Sequence, residues 1–226
     1  MNRPAPARRM PARARAPHLA PALALAFVLA LAFAFVTLPG CARPAGRATG
    51  DTDTTAAGDT TGSLFELAFP LTDQDGRTRH LAEFRGEPFI ASMIYTNCTS
   101  VCPRVTADLQ RLEAALPPAT RDRTRFVLFS LDPDRDTPAA LDSFATEHHL
   151  DRARWTLLAA GPDDMRTLAA VLGVRFRPDE GGEIAHSAVV AVVDGEGVIR
   201  HRQVGIKEEP TALVAAVAEV SAQGTR

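Results

Sequence analysis

Short apolar runs alternate with amphipathic stretches along the last two-thirds of the chain. The runs 88–96 (PFIASMIYT) and 124–131 (TRFVLFSL) are apolar at consecutive positions, which is typical of strands covered on both faces. Between them, apolar residues recur at helical spacing over 103–116, and a strand at 155–159 precedes a predicted helix at 162–172. This alternation predicts an α/β fold, with a mixed central sheet flanked by helices.

Hydrophobic patterning at both ends of this core predicts two hairpins. Residues 64–69 alternate apolar and polar side chains ahead of the turn sequence at 73–76, which predicts an N-terminal β-hairpin. Segments 188–193 and 198–203 flank Asp-Gly-Glu-Gly and predict a second hairpin, which a last helix follows. A hairpin, three strand–helix units, a hairpin and a helix make a thioredoxin-like layout.

The first 40 residues are predicted to be a secretory signal of the lipoprotein type. Five arginines and no acidic residue precede an apolar run at 22–36, which is shorter than the roughly 20 residues of a membrane-spanning helix. The run ends at Leu-Pro-Gly-Cys, which resembles a bacterial lipobox, so Cys41 is predicted to be lipidated. An uncleaved anchor helix is the alternative. Both predict a protein held at the extracytoplasmic (periplasmic) face of a bacterial membrane.

Residues 41–63 lack apolar periodicity and are predicted to be a flexible tether to a single domain at 64–226. Without the five leader arginines, 20 basic and 27 acidic residues remain, so the rest of the chain has a net charge of −7. No basic stripe remains, and nucleic-acid binding is therefore not expected.

The sequence YTNCTSVCP places Cys98 and Cys102 between a buried strand and a predicted helix. Pro103 suits the first position of that helix, which makes Cys102 the predicted cap residue. Both sulfurs would then lie near the positive end of the helix dipole, which favours the thiolate that binds metals and attacks disulfides. A metal site, a redox pair, a peroxide-reducing thiol and a structural disulfide all remain open, although so short a loop constrains little chain entropy.

Among six histidines, His186 is the candidate third ligand of a metal site. It follows the polar, glycine-rich stretch 179–183 and precedes the buried run 188–193. In a thioredoxin-like layout, the loop entering that strand faces the cysteine loop. Redox enzymes of this fold usually have a proline there, whereas the nearest upstream proline here is Pro178. A loop histidine hydrogen-bonded to the backbone is the alternative interpretation.

Five segments, spread in order over the domain, form a joint pattern. They are Phe65-Glu66-Leu67 with Asp75-Gly76, then Phe84-Arg85-Gly86, Tyr95-Thr96-x-Cys98-x-x-x-Cys102-Pro103, Leu131-Asp132-Pro133-x-Arg135-Asp136-Thr137-Pro138 and His186-Ser187. Together they resemble the Sco/SenC family, copper chaperones of cytochrome c oxidase assembly. One departure is Thr-Ser-Val at 99–101, where many members have Pro-Asp-Val. For Asp132, a place near the site and a role in the turn both remain open.

The resemblance implies that Cys98, Cys102 and His186 bind one copper ion per chain. Thiolates suit Cu(I), and an added imidazole lets a site hold Cu(II) as well. The implied partners are a copper donor protein and cytochrome c oxidase subunit II, or another copper-receiving oxidase subunit. The resemblance thus implies a metallochaperone rather than an enzyme. The alternative is a thiol–disulfide oxidoreductase that reduces partner cysteines through Cys98 and Cys102.

Overall fold

The structure is a computed structural model that describes residues 62–205 and 209–223. The predicted signal at 1–40, the lipidation site Cys41 and nearly all of the predicted tether lie outside these residues, so they stay predictions. Within the two described ranges, no helix combines the length and apolar character that crossing a bilayer requires.

The described residues form nine strands, seven of which make one mixed sheet with the order β2-β1-β5-β4-β3-β8-β9. The remaining two, β6 and β7, pair with each other in a separate antiparallel ribbon. The strands are β1 Leu71–Asp73, β2 Thr78–Arg79, β3 Phe89–Ile94, β4 Arg125–Ser130, β5 Trp155–Ala159, β6 Phe176–Pro178, β7 Ile184–His186, β8 Val189–Val193 and β9 Ile199–Val204.

Five α-helices connect or follow these strands in the part of the chain that the structure describes. They are α1 Val101–Ala115, α2 Pro118–Arg121, α3 Pro138–Glu147, α4 Pro162–Leu172 and α5 Thr211–Gln223. The start of α3 follows from its sequence, because the Thr137 hydroxyl accepts a hydrogen bond from the Ala140 N–H and Pro138 occupies the first helical position.

Strand direction brings the chemically interesting loops to one edge of the sheet. Strands β3, β4 and β5 are parallel, so the loops that follow them leave from the same edge. Strand β8 is antiparallel to β3, so the chain that enters β8 reaches this edge too. The cysteine loop after β3, the acidic segment after β4 and the β6–β7 ribbon before β8 are therefore neighbours. The predicted α/β, thioredoxin-like fold class is confirmed.

Burial on both faces of the sheet centre holds this edge in place. Every residue of β3 and β8 is buried, as their continuous apolar sequences predict. Toward the β1 side, the Phe126 and Trp155 rings stack with centroids 4.6 Å apart. The Trp155 indole N–H donates to the Glu113 carboxylate of α1 at 2.9 Å, which ties this helix to the sheet.

The strand predicted at 64–69 is wrong. Leu64–Glu66 form a 3-10 helix whose first turn is capped by the Ser63 hydroxyl. Leu64 and Phe65 are buried, so their apolar character reflects packing rather than strand pairing. The Leu64 N–H donates to the Gly197 carbonyl at 2.8 Å, which places this turn against the β8–β9 connection. Antiparallel pairing begins later, between β1 and β2.

Gly197 is predicted to be intolerant of a side chain, and Gly76 provides a matched control. Both glycines have positive φ, +82° and +76°, but a Cβ at Gly197 would lie 2.5 Å from the Ser63 hydroxyl and 2.6 Å from the Phe65 ring. Gly76→Ala meets no atom within 4 Å and should cost about 1–2 kcal/mol of unfolding free energy. Gly197→Ala should cost about 1–3 kcal/mol more through overpacking, measured by urea denaturation. Equal losses in the two variants would contradict this packing.

Candidate metal centre

The cysteine loop runs from the end of β3 into the first turn of α1. The helix begins at Val101 with Ser100 as its cap residue. The prediction that Cys102 is the cap and Pro103 the first helical residue is therefore wrong by two positions. Proline fits at the third position as well, because N–H groups in the first turn have no partner within the helix.

The sulfur of Cys98 occupies the place of a helix cap. The Ser100 side chain makes no capping hydrogen bond, and the Cys102 N–H instead donates to Cys98 Sγ at 3.3 Å. The Cys98 N–H donates to the Tyr95 carbonyl at 3.2 Å, which fixes the turn of the loop. Both cysteines are buried and carry free thiols. Cys98 Sγ thus lies at the N-terminus of α1, where the positive end of the helix dipole acts on it.

The two thiols differ in acidity. Burial raises the pKa of Cys98, but hydrogen bonds from the N–H groups of Cys102 and Ser100 lower it, and the net pKa lies below the ordinary value of 9.0. Burial strongly raises the pKa of Cys102, and the neighbouring Cys98 and the Asp136 carboxylate raise it further. In the metal-free protein Cys98 is thus the more acidic thiol, and Cys102 stays protonated.

His186 ends β7 with its ring directed at the cysteines. Its Nδ1 lies 2.9 Å from the Ile184 carbonyl oxygen, which can only accept a hydrogen bond. Nδ1 therefore carries the proton, which leaves the Nε2 lone pair free for a metal. Nε2 lies 3.9 Å from Cys102 Sγ. One ring nitrogen thus contacts the backbone and the other faces sulfur, and the role of His186 as a metal ligand stays a prediction.

The structure brings the three predicted residues together. Cys98 and His186 line one cavity of about 330 Å³. Cys102 contacts both of them, through its N–H to Cys98 Sγ and through its own sulfur to His186 Nε2. A first-row ion bonded at about 2.3 Å to sulfur and about 2.0 Å to nitrogen spans a gap of this size, so the 3.9 Å separation fits one shared ion. Within the described residues, however, no three His, Cys, Asp or Glu side chains stand preassembled around a metal position.

Asp136 supports the cysteine loop, a role that its place in the sequence does not indicate. Its carboxylate accepts hydrogen bonds from the Thr96 N–H at 3.1 Å, the Thr96 hydroxyl at 2.6 Å and the Ser130 hydroxyl at 2.6 Å. Burial raises its pKa, an effect that these hydrogen bonds oppose. Asp132 serves the turn instead, because its carboxylate pairs with Arg135 and its carbonyl accepts the Arg135 and Asp136 N–H groups. Nothing in the sequence distinguishes these two aspartates.

The sequence pattern also did not predict the β6–β7 ribbon or its contact with Tyr95. The Tyr95 hydroxyl donates to the Glu183 carboxylate at 2.7 Å and accepts from the Ile184 N–H at 3.2 Å. Its ring meets the His186 ring edge-on, with centroids 5.8 Å apart. The turn residues between Pro178 and Ile184 were a signal for a ribbon, but strands of three residues are too short to show an alternating pattern.

Comparison with known proteins gives concordant matches. The SCO1/SenC family model matches residues 57–222. A protein of Stutzerimonas stutzeri described as copper-binding is 30% identical over 142 residues, covering 60% of this chain and 68% of that protein.

Two solved structures resemble the fold at similar levels. A SCO1/SenC family lipoprotein from Bacillus anthracis has a TM-score of 0.62 and 26% identity, covering 68% of this chain and 92% of its own. BsSco has a TM-score of 0.60 and 27% identity, and the match covers 68% of this chain and 91% of BsSco. It is described as having a disulfide switch and as a member of the Sco family of cytochrome c oxidase assembly proteins.

The family match covers well over half of the chain and includes Cys98, Cys102 and His186. The edge of the sheet at which these residues meet lies inside the matched segment. This chain belongs to the SCO1/SenC family.

Proposed function

We propose that this protein binds one copper ion through Cys98, Cys102 and His186 and delivers it during cytochrome c oxidase assembly, with subunit II as the recipient. The supporting observation is the meeting of two free thiols and an imidazole whose Nε2 faces Cys102 Sγ beside one cavity. A relative described as copper-binding and a family described as assembling cytochrome c oxidase point the same way.

The donor set suits a cargo that must be both held and released. Soft thiolates favour Cu(I), and the imidazole adds a ligand that Cu(II) accepts well. Cys102 is held as a thiol by burial and by its negative neighbours, so an arriving cation must displace its proton. The same neighbours, Cys98 and Asp136, favour a positive ion once the proton has left. Binding is therefore coupled to proton release, which makes the affinity for the ion depend on pH.

The proposed location is the periplasmic face of a bacterial membrane, with a lipid on Cys41 as the anchor. The B. anthracis relative is described as a lipoprotein of this family. The proposed tether would let the domain reach a membrane-bound oxidase subunit and a copper donor.

His186→Ala is expected to weaken Cu(II) binding much more than Cu(I) binding. Two thiolates can hold Cu(I) alone, whereas Cu(II) loses a nitrogen ligand. Removal of an outer-shell partner of a ligand typically lowers metal affinity by about 10–100-fold, and the loss of Cu(II) affinity in His186→Ala should be larger than that. Competition titrations with each oxidation state measure both affinities, and wild type should bind about one copper per chain.

His149→Asn is the matched control for that titration. His149 is exposed and has φ of 54°, a conformation that asparagine tolerates. This variant should bind both copper states as wild type does. Full Cu(II) affinity in His186→Ala would contradict the proposed ligand set.

The difference in acidity between the cysteines favours a second function, thiol–disulfide exchange with partner cysteines. A thiol with a lowered pKa is the attacking group in such reactions, and its neighbour closes the disulfide. Here Cys98 would attack and Cys102 would resolve. Both functions use the same pair and compete for it, because an oxidised pair cannot supply thiolates to copper.

Cys98 is expected to react with iodoacetamide before Cys102. Because its pKa is lowered, the thiolate of Cys98 should form at a pH below 9.0, and its alkylation rate should reach half-maximum there. Mass spectrometry of the reduced, metal-free protein across a pH series locates the label and gives the rate. Cys102→Ser should keep the fast phase and Cys98→Ser should lose it. Labelling of Cys102 first would contradict the assignment.

A further inference from the structure

The ribbon β6–β7 carries His186 but is poorly anchored by its own pairing. It forms a two-stranded sheet that is separate from the seven-stranded one. Three residue pairs join its strands, from Phe176–His186 to Pro178–Ile184. An isolated two-stranded ribbon is marginally stable in water, so its orientation depends on contacts with other elements. The position of the imidazole relative to the cysteines therefore depends on those contacts.

Hydrogen bonds at two points, the tip and the base, join the ribbon to the loops at the sheet edge. At its tip, the Arg135 guanidinium donates to the Gly182 carbonyl. At its base, the Tyr95 hydroxyl accepts from the Ile184 N–H and donates to the Glu183 carboxylate. The base contact is closer to the imidazole, because the Ile184 carbonyl is the acceptor for His186 Nδ1.

Tyr95 also holds the opposite half of the site. Its carbonyl accepts the Cys98 N–H, so the same residue fixes the turn of the cysteine loop. Its side chain is 2% exposed, and it is the single tyrosine of the chain. A phenylalanine at this position would fill the same space but would leave the Ile184 N–H without its hydroxyl partner.

We propose that Tyr95 is a positioning residue that sets the His186 imidazole against the cysteine loop and thereby raises the affinity for Cu(II) relative to Cu(I). The path runs from the hydroxyl to the Ile184 N–H, along the Ile184 backbone to its carbonyl, and on to His186 Nδ1, and so fixes the orientation of the ring and its Nε2. Cu(I) needs the two thiolates, whereas Cu(II) also needs the imidazole, so only Cu(II) binding depends on this path. The inference rests on the proposed function.

The central test is a double-mutant cycle in the purified full-length protein. Tyr95→Phe should weaken Cu(II) binding by about 10–100-fold, the range for an outer-shell partner of a ligand, and should weaken Cu(I) binding much less, because the hydroxyl also interacts with the Cys98 sulfur. In a His186→Ala background, Tyr95→Phe should cause a much smaller further loss of Cu(II) affinity. Equal losses for both copper states, or an undiminished loss without the imidazole, would overturn the positioning role.

The effect of charge near the ribbon is controlled by one glutamate variant. Glu180→Gln removes a negative charge from the exposed turn of the same ribbon without touching the Tyr95 contact. This variant should retain the Cu(II) affinity of wild type. A loss that matched Tyr95→Phe would show that charge, rather than the hydroxyl, governs Cu(II) binding.

Metal-free protein provides a readout that does not depend on copper. In Tyr95→Phe, amide hydrogen exchange at Ile184 should become faster, and the ¹⁵N shifts of His186 should show a mixture of ring tautomers in place of the Nδ1–H form. Unchanged exchange and an unchanged tautomer would overturn the inference while leaving the proposed function intact. Failure of wild type to bind copper would overturn the proposed function itself.

Discussion

The hydrogen bond from the Cys102 N–H to Cys98 Sγ joins the start of α1 to the cysteine loop, and the character of both thiols depends on it. It places Cys98 Sγ at the positive end of a helix, which favours the thiolate. The same arrangement buries Cys102 completely, beside Cys98 and the Asp136 carboxylate, and this raises its pKa and disfavours its ionisation. Two chemically identical side chains four positions apart thus acquire opposite tendencies.

The sheet makes this arrangement possible by fixing where the loop begins. Buried β3 ends at the edge where the β4 segment supplies Asp136 and the β6–β7 ribbon supplies His186. Each of these supports comes from a different part of the chain, and each reaches the cysteine loop through a hydrogen bond or a sulfur contact. In a site assembled in this way, the cysteines follow a strand at the centre of the main sheet, whereas the imidazole lies on a separate two-stranded ribbon that is held less firmly.

This difference in anchoring would suit the proposed transfer of copper to a partner. The cysteines lie on the loop between a central strand and a helix, whereas the histidine lies on a ribbon outside the main sheet. Motion of the ribbon would remove the proposed histidine ligand and leave the two cysteines in place, so that an acceptor could enter the coordination sphere. Protonation of Cys102 after release would then restore the metal-free state, since its pKa is raised.

The sequence by itself determined the central strands, the main helices, the C-terminal hairpin and the family, because continuous apolar runs, helical spacing and turn residues are local signals. It also singled out Cys98, Cys102 and His186, through spacing and a family resemblance.

Other features were decided only by tertiary structure. The apolar residues at 64–69 pack as a 3-10 turn, and α1 starts two residues early with a sulfur as its cap. Asp136 rather than Asp132 braces the loop, and Tyr95 reaches the ribbon. The sulfur cap is a contact over only four positions. The other outcomes depend on contacts between residues 40 to about 130 positions apart, and a local pattern carries no information on which distant groups will meet.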